Sequence, residues 1–521
     1  MEPLENRVRM TSDVQERAVT REDPLAPLPR RVEVAIIGSG FGGLCMAIRL
    51  RHTGIEDFVL LEKEHEAGGC WRDNTYPGAA CDVPSHLYSF SFERETDWSR
   101  HFAPQVEILD YLRHCAGKYG LRRHLHVNTE VTGAEFDEAA GLWRIHIADG
   151  RTLEARVLVS ACGQLNRPAL PRLPGLERFE GRQFHSARWD HGYPLEGRTV
   201  AVIGTGASAI QFVPQIAPRV KQLFLYQRSA PYVLPKPDRA YGWLERALFS
   251  QLPASQLGSR WWTYWQHESR VLVFEGPAWV RGILERRFHR HLERSVPDPR
   301  LRQALTPTDP IGCKRVLLSN DYYPALTRPN VEVVTEGIRE VTRHGLITVD
   351  GKEREVDALI HGTGFQATDF LAPMRITGRG GRELNEAWRE GAEAYLGLTV
   401  SGFPNLFLLY GPNTNLGHNS IVFMLESQVR YVLACLRVLR ERNLRFLDVR
   451  PDAQRDFNVR LQRSLERSVW AAGCTSWYKT AGGRNTNNWP GFTFHYRRQT
   501  RGPRLAHYEA VQIPSTAPGA R

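Results

Sequence analysis

The stretch VEVAIIGSGFGGLCMAIRLRHTGIEDFVLLEK, residues 32–63, decides how the rest of the chain is read. A β-branched run from Val32 to Ile37 delivers Gly38, Gly40 and Gly43 into the start of an apolar helix, and a second strand ends at Glu62. Strand, glycine turn, helix, strand and terminal acid together make a βαβ dinucleotide-binding unit. Gly38 serves the tight turn and Gly40 lets backbone approach a pyrophosphate. Gly43 lets the helix pack close to the strand, and the helix N-terminus favours the phosphate charge. An ordinary glycine-rich turn is the alternative, and the flanking pattern argues against it.

Outward from this unit, RTVAVIGTGASAIQFVPQIAPRVKQLFLYQRS, residues 198–229, repeats the arrangement with Gly204, Gly206 and Ala209. Glu62 stands 24 residues after Gly38, and Arg228 stands 24 residues after Gly204. One structural position therefore carries opposite charges in the two units. A carboxylate there accepts hydrogen bonds from a ribose and repels a 2′-phosphate, whereas an arginine attracts that phosphate. The first site is read as one for a cofactor without the phosphate, in practice FAD, and the second as one for NADPH. Arg228 as a solvated strand-end residue is the plainer reading.

Composition sets wider bounds. The 521 residues, 42% of them hydrophobic, allow several globular units. A net charge of +11 suits a nucleic acid, a membrane surface or a phosphorylated cofactor, or is simply solvated. No nucleic-acid module is recognisable. Eight cysteines are scattered singly with no C-x-x-C pair, which argues against a zinc site or a dithiol centre and suits a reducing cytoplasm. Residues 1–30 read as a mobile tail and not a secretory signal. No stretch approaches the roughly 20 apolar residues that cross a bilayer.

Three further segments call for explanation: GGCWRDNTYPGAACDVPSHLYSFSF (68–92), FEGRQFHSARWD (179–190) and the pair Lys314-Arg315 in DPIGCKR. With DALIHGTGF and GPNTNLGHNS, they make the chain resemble class B flavoprotein monooxygenases of the Baeyer–Villiger type from about Val32 to Arg498. The fingerprint is the most specific part of the match: Phe179, Gly181, His185, Trp189 and Asp190 fit it at every defined position.

The resemblance implies an α/β fold with two Rossmann-like domains, for FAD and NADPH, and a helical insertion in the second. It implies FAD-binding sequence at 31–165, a linker carrying the fingerprint at 166–195, an NADPH domain at 196–390 with its insertion at about 240–310, and a return to the FAD domain over 391–521. It also implies roles. Arg315 would hold a flavin-bound peroxide as its anion, Asp82 would orient Arg315, and His185 would act in domain movement and cofactor handling. Trp71 and Tyr88 would contact the cofactor, and Lys314 would reach the NADPH phosphate with Arg228 and Ser229. The expected reaction inserts one atom of O2 beside a ketone carbonyl to give an ester or lactone, and oxygenation of sulfur or nitrogen is the alternative. The enzyme is expected as a monomer or weak homo-oligomer. A disulfide reductase would need a redox cysteine pair, and the nearest candidates, Cys70 and Cys81, are badly spaced. A non-catalytic NADPH sensor would bind both nucleotides without consuming oxygen.

Some family members carry arginine where this chain has Ala80. Within the insertion, Trp279, Ile283, Leu284, Phe288 and Leu292 share one helical face with arginines mostly elsewhere, suiting a face packed on the protein or one laid on a membrane. Trp477 is a candidate for the substrate side or for plain packing.

Overall fold

A computed structural model describes residues 27–473 and 476–513, so most of the expected tail and the chain's last eight residues lie outside it. The first glycine signature sits between β1 (Arg31–Ile37) and α1 (Phe41–His52), followed by β2 (Phe58–Leu61). β1 lies between β2 and β6 (Thr152–Ser160), parallel to both, with Val34 opposite Phe58 and Val157. β3 (Leu125–His126) extends one edge of the sheet, and β4 (Val131–Asp137) and β5 (Leu142–Ile147) form an antiparallel flap on the other. α1 is buried from Phe41 to Ile48, consistent with a parallel sheet whose faces are both covered.

The fingerprint enters a second sheet. β7 (Arg182–His185), β8 (Thr199–Ile203), β9 (Gln222–Tyr226), β10 (Val331–Val334) and β11 (Ala358–His361) pair in the order β10-β9-β8-β11-β7, all parallel. α2 (Ala209–Ile216) follows the second glycine signature, as α1 follows the first. The expected linker is thus partly an edge strand.

Between β9 and β10 the insertion carries α3 (Trp243–Gln251), α4 (Pro253–Glu268), α5 (Val271–Glu275) and α6 (Ala278–Ser295), with two short helices, Pro299–Ala304 and Tyr322–Leu326, after them. The apolar face expected on α6 splits in two. Phe288 and Leu292 are buried against the second domain, while Trp279 and Ile283 are exposed.

The chain then returns to the first sheet. β12 (Arg375–Thr377) pairs with β4, so the return begins before residue 390, and β13 (Leu406–Leu408) adds beside β6. Ser420 caps α7 (Ile421–Glu441), accepting a hydrogen bond from the Val422 amide, and α7 packs along α1. α8 (Thr493–Gln499) closes on the insertion through Glu268, which is fully buried at the end of α4. Its carboxylate accepts bonds from the Thr493 amide (2.6 Å), the Thr493 hydroxyl (2.8 Å) and the Asn419 side chain (2.5 Å). Burial pushes His418 down to about 3, so its 3.9 Å approach to Glu268 is that of a neutral imidazole.

Candidate active site

The two glycine turns form cradles that side chains would fill. Gly38 has φ +97°, and a Cβ on it would lie 2.8 Å from the Ala161 carbonyl oxygen. A Cβ on Gly43 would collide with the Gly38 carbonyl, and one on Gly204 (φ +111°) with that of Gly362. Gly40 precedes α1, and Gly206 has open space where its Cβ would be. Ala209 is buried as the first residue of α2. These openings at two helix N-termini have the shape and polarity that pyrophosphates need.

Glu62 directly follows β2, buried, and its Oε2 accepts from the Ser39 amide (3.0 Å) and hydroxyl (2.6 Å). Arg72 stands 3.3 Å from Oε1. Ser39 lies within the glycine turn, so the acid is fixed beside it. Trp71 donates from its indole N–H to the Tyr88 hydroxyl at 3.2 Å, and Tyr88 packs edge-on to Phe41 at the start of α1.

At the end of β9 the counterpart is basic. Arg228 is exposed and makes no ion pair among the described residues. Beside it, Lys314 Nζ donates to Ser229 Oγ at 3.0 Å and pairs with Asp309 at 2.6 Å. Thr205, inside the second glycine turn, donates to the Ser229 carbonyl, which ties this group to the cradle. Cys313 is disulfide-bonded, a pairing the scattered spacing of the cysteines does not announce; the other six described cysteines are free.

Arg315 and Asp82 meet where the two domains face each other. Arg315 Nε and Nη2 both donate to Asp82 Oδ2, at 2.9 and 2.6 Å, and both side chains remain about 30% exposed in a recess, 28% and 32%. Asp82 raises the Arg315 pKa well above its ordinary value, more than burial lowers it. Burial opposes ionisation of Asp82, yet the adjacent guanidinium outweighs it and holds the carboxyl below its usual range. The result is a permanent cation with a fixed orientation in a sheltered site.

The structure adds groups that the sequence reading missed. Tyr478 and Tyr410 lie in the field of Arg315; burial raises both phenols, Tyr478 to about 12. Tyr410 sits at φ +60° in the loop after β13, with its hydroxyl donating to Asn415 at 2.7 Å. Burial lowers Lys236, which also lies in the field of Asp82. Tyr478, Tyr410 and Lys236 come from segments far apart in sequence, and no local spacing marks them. Trp477 is partly exposed with its ring 4.4 Å from that of Tyr478.

His185 is not brought to this pair. It is buried at the end of β7, in register with His361 of β11, and its Nδ1 accepts from the Ala187 amide at 3.1 Å. Burial lowers its pKa against the opposing effect of the Gly364 carbonyl. The other fingerprint residues build the edge of the second domain. Trp189 packs on Phe184 and Phe212, and Asp190 accepts from Arg182 at 2.6 Å. A Cβ on Gly181 would lie 2.5 Å from the Phe179 ring and 2.6 Å from the Asp357 carbonyl.

Ala80 is an inter-domain contact through its backbone. Gln211 of α2 donates to the Ala80 carbonyl at 3.0 Å and accepts from the Tyr76 hydroxyl at 3.0 Å. The segment that supplies Asp82 is therefore held to the helix that follows the second cradle.

A family model described as flavin-binding monooxygenase-like matches residues 31–265. A Baeyer-Villiger monooxygenase of Pseudomonas aeruginosa is 50% identical over 496 residues, covering 95% of this chain and 94% of that protein. The chain belongs to the Baeyer–Villiger monooxygenase family. A second member, from Streptomyces coelicolor, is 49% identical over 492 residues, 94% of this chain and 95% of its own. Among solved structures, oxidized steroid monooxygenase bound to NADP superposes with a TM-score of 0.83 at 31% identity, over 93% of this chain and 100% of that one. Closed cyclohexanone monooxygenase gives 0.84 at 28%, with the same coverage. The Baeyer–Villiger monooxygenase fold, with FAD and NADP as cofactors, is thus the fold of this chain, and both cradles fit those groups. Among the described residues no helix is long and apolar enough to cross a membrane.

Proposed function

We propose that this Baeyer–Villiger monooxygenase converts a small ketone to an ester or lactone at the recess around Arg315. The observation that carries the reading is the Asp82–Arg315 pair at the meeting of the two domains, a permanent cation oriented by a carboxylate from the opposite side. Bound FAD, reduced by NADPH, supplies the activation of O2. The protein's part is binding, orientation and charge. Gly38, Gly40 and Gly43 would admit the FAD pyrophosphate, with Glu62 toward the ribose and Trp71 and Tyr88 covering the ring side. Gly204, Gly206 and Ala209 would admit that of NADPH, with Arg228, Ser229 and Lys314 taking its 2′-phosphate. Arg315 would stabilise negative charge where oxygen is transferred, and Asp82 keeps its guanidinium aimed there. His185 would act as a positioning residue at the domain edge.

Oxygenation of sulfur or nitrogen makes no such demand for a fixed cation, and the relatives' names do not favour it. Six free thiols support a reducing, cytoplasmic setting; the Cys313 disulfide is the one described feature that does not fit it. The deciding experiment is Arg315→Ala assayed on cyclic, linear and aromatic ketones. Flavin reduction by NADPH, followed by flavin absorbance, should persist while ester formation falls by about 100-fold or more. Ester formed near the parent rate after normal reduction would remove Arg315 from the role.

A further inference from the structure

The insertion carries a surface that oxygen transfer does not use. On α4, Leu257, Trp261 and Trp265 follow one another at intervals of four residues on one face, with Trp262 beside them, while Gln256, Thr263 and His267 are buried on the other. Trp261 is 64% exposed and Trp262 62%. The adjoining α3 presents Trp243, Leu244 and Leu248, with Leu252 in the turn between the helices. The face continues onto α8. Ring centroids run Trp261–Trp265 at 6.1 Å, Trp265–Phe494 at 6.1 Å and Phe494–Phe492 at 5.0 Å. A continuous apolar surface of this kind on a globular chain marks a partner.

Its surroundings are basic. Arg498 and Arg501 lie exposed just beyond Phe494. Neither makes an ion pair with another described residue. Arg94, which donates to the Pro253 carbonyl at the start of α4, and Arg497 both act electrostatically on Arg260 of that helix. Two-fold pairing of this face with a second copy would bring one basic rim against another. Indoles backed by unpaired arginines instead match the interface of a bilayer, where tryptophan takes the headgroup boundary and cations meet anionic lipid.

We propose that the α3–α4 face with α8 docks the enzyme on an anionic membrane surface, without crossing it. The test uses the full-length FAD-loaded enzyme and sedimenting vesicles of phosphatidylcholine, with or without phosphatidylglycerol. The expected result is binding to the phosphatidylglycerol vesicles, weakened by salt, with a blue shift of tryptophan emission. Trp261→Ser/Trp262→Ser should lower that binding by about tenfold or more, with turnover of a water-soluble ketone unchanged. Arg498→Glu/Arg501→Glu should lower it too and leave FAD content intact. No binding to either vesicle overturns the proposal, as does equal binding to neutral vesicles. So does a dimer that the tryptophan variant converts to monomer, which would assign the face to a second copy.

Discussion

Asp82 gives a single oxygen, Oδ2, to two nitrogens of Arg315, so the guanidinium keeps its remaining donors for whatever enters the recess. The carboxyl is depressed in the folded state, and the unfolded one titrates near ~3.9. The sign follows from linkage: the pair's contribution to stability is complete above the unfolded value and is lost as pH falls through the lower folded one. The melting temperature of Asp82→Asn should therefore lie below the parent's at pH 7, with the gap closing as the pH is lowered toward 3. A thermal-melt series across that range reads it. Arg228 leads to a different measurement. A hydrogen bond to a charged group contributes about 1.5–3 kcal/mol, so Arg228→Ala should raise KM for NADPH by roughly 10- to 100-fold. KM for NADH should move by less than about twofold, because that cofactor has no 2′-phosphate to lose.

At the scale of elements, β7 shows where sequence patterns stop. The fingerprint residues Phe179, Gly181, His185, Trp189 and Asp190 were legible as a motif, but the strand was not. Only four residues long, it has two exposed and then two buried positions, with no alternation to mark it. It exists because β11 offers an open parallel edge, a partner some 170 residues away in the chain, with His361 opposite His185. The glycine turns were legible because strand, turn and helix are local. Gly181 carries the tertiary demand, with a ring and a carbonyl both within 2.6 Å of any added Cβ. Gly181→Val should destabilise the second domain by about 1–3 kcal/mol, measured by urea unfolding followed through tryptophan emission. The split face of α6 makes the same point: periodicity found the stripe, and packing decided which half of it is covered.

At the scale of the molecule, the site is assembled by contacts that no window of sequence contains. Asp82 and Arg315 are 233 residues apart, and Gln211 reaches Ala80 across 131. The family resemblance supplied Asp82 and Arg315, whereas Gln211, Tyr410 and Tyr478 needed the folded chain. Gln211 ties the Asp82 segment to α2, so Gln211→Ala should loosen the coupling of cofactor domain to oxygen chemistry. The readout is stoichiometry: more NADPH consumed and hydrogen peroxide released per ester formed, with the flavin still bound. Equal yields from variant and parent would show that the seam holds without it.

The carboxylate of Glu268 has a bearing on how the chain is made. Its amide and hydroxyl partner Thr493 lies 225 residues further on. At a synthesis rate of about 5–20 residues per second, roughly ten to forty-five seconds pass between the two leaving the peptidyl-transferase centre. For that interval α4 holds an acid whose buried partners do not yet exist, and it must stay in water. The insertion is therefore among the last parts of the nascent chain to close, and the side of α4 that carries Thr263, His267 and Glu268 is on offer to chaperones for as long as the ribosome is still writing the C-terminal segment.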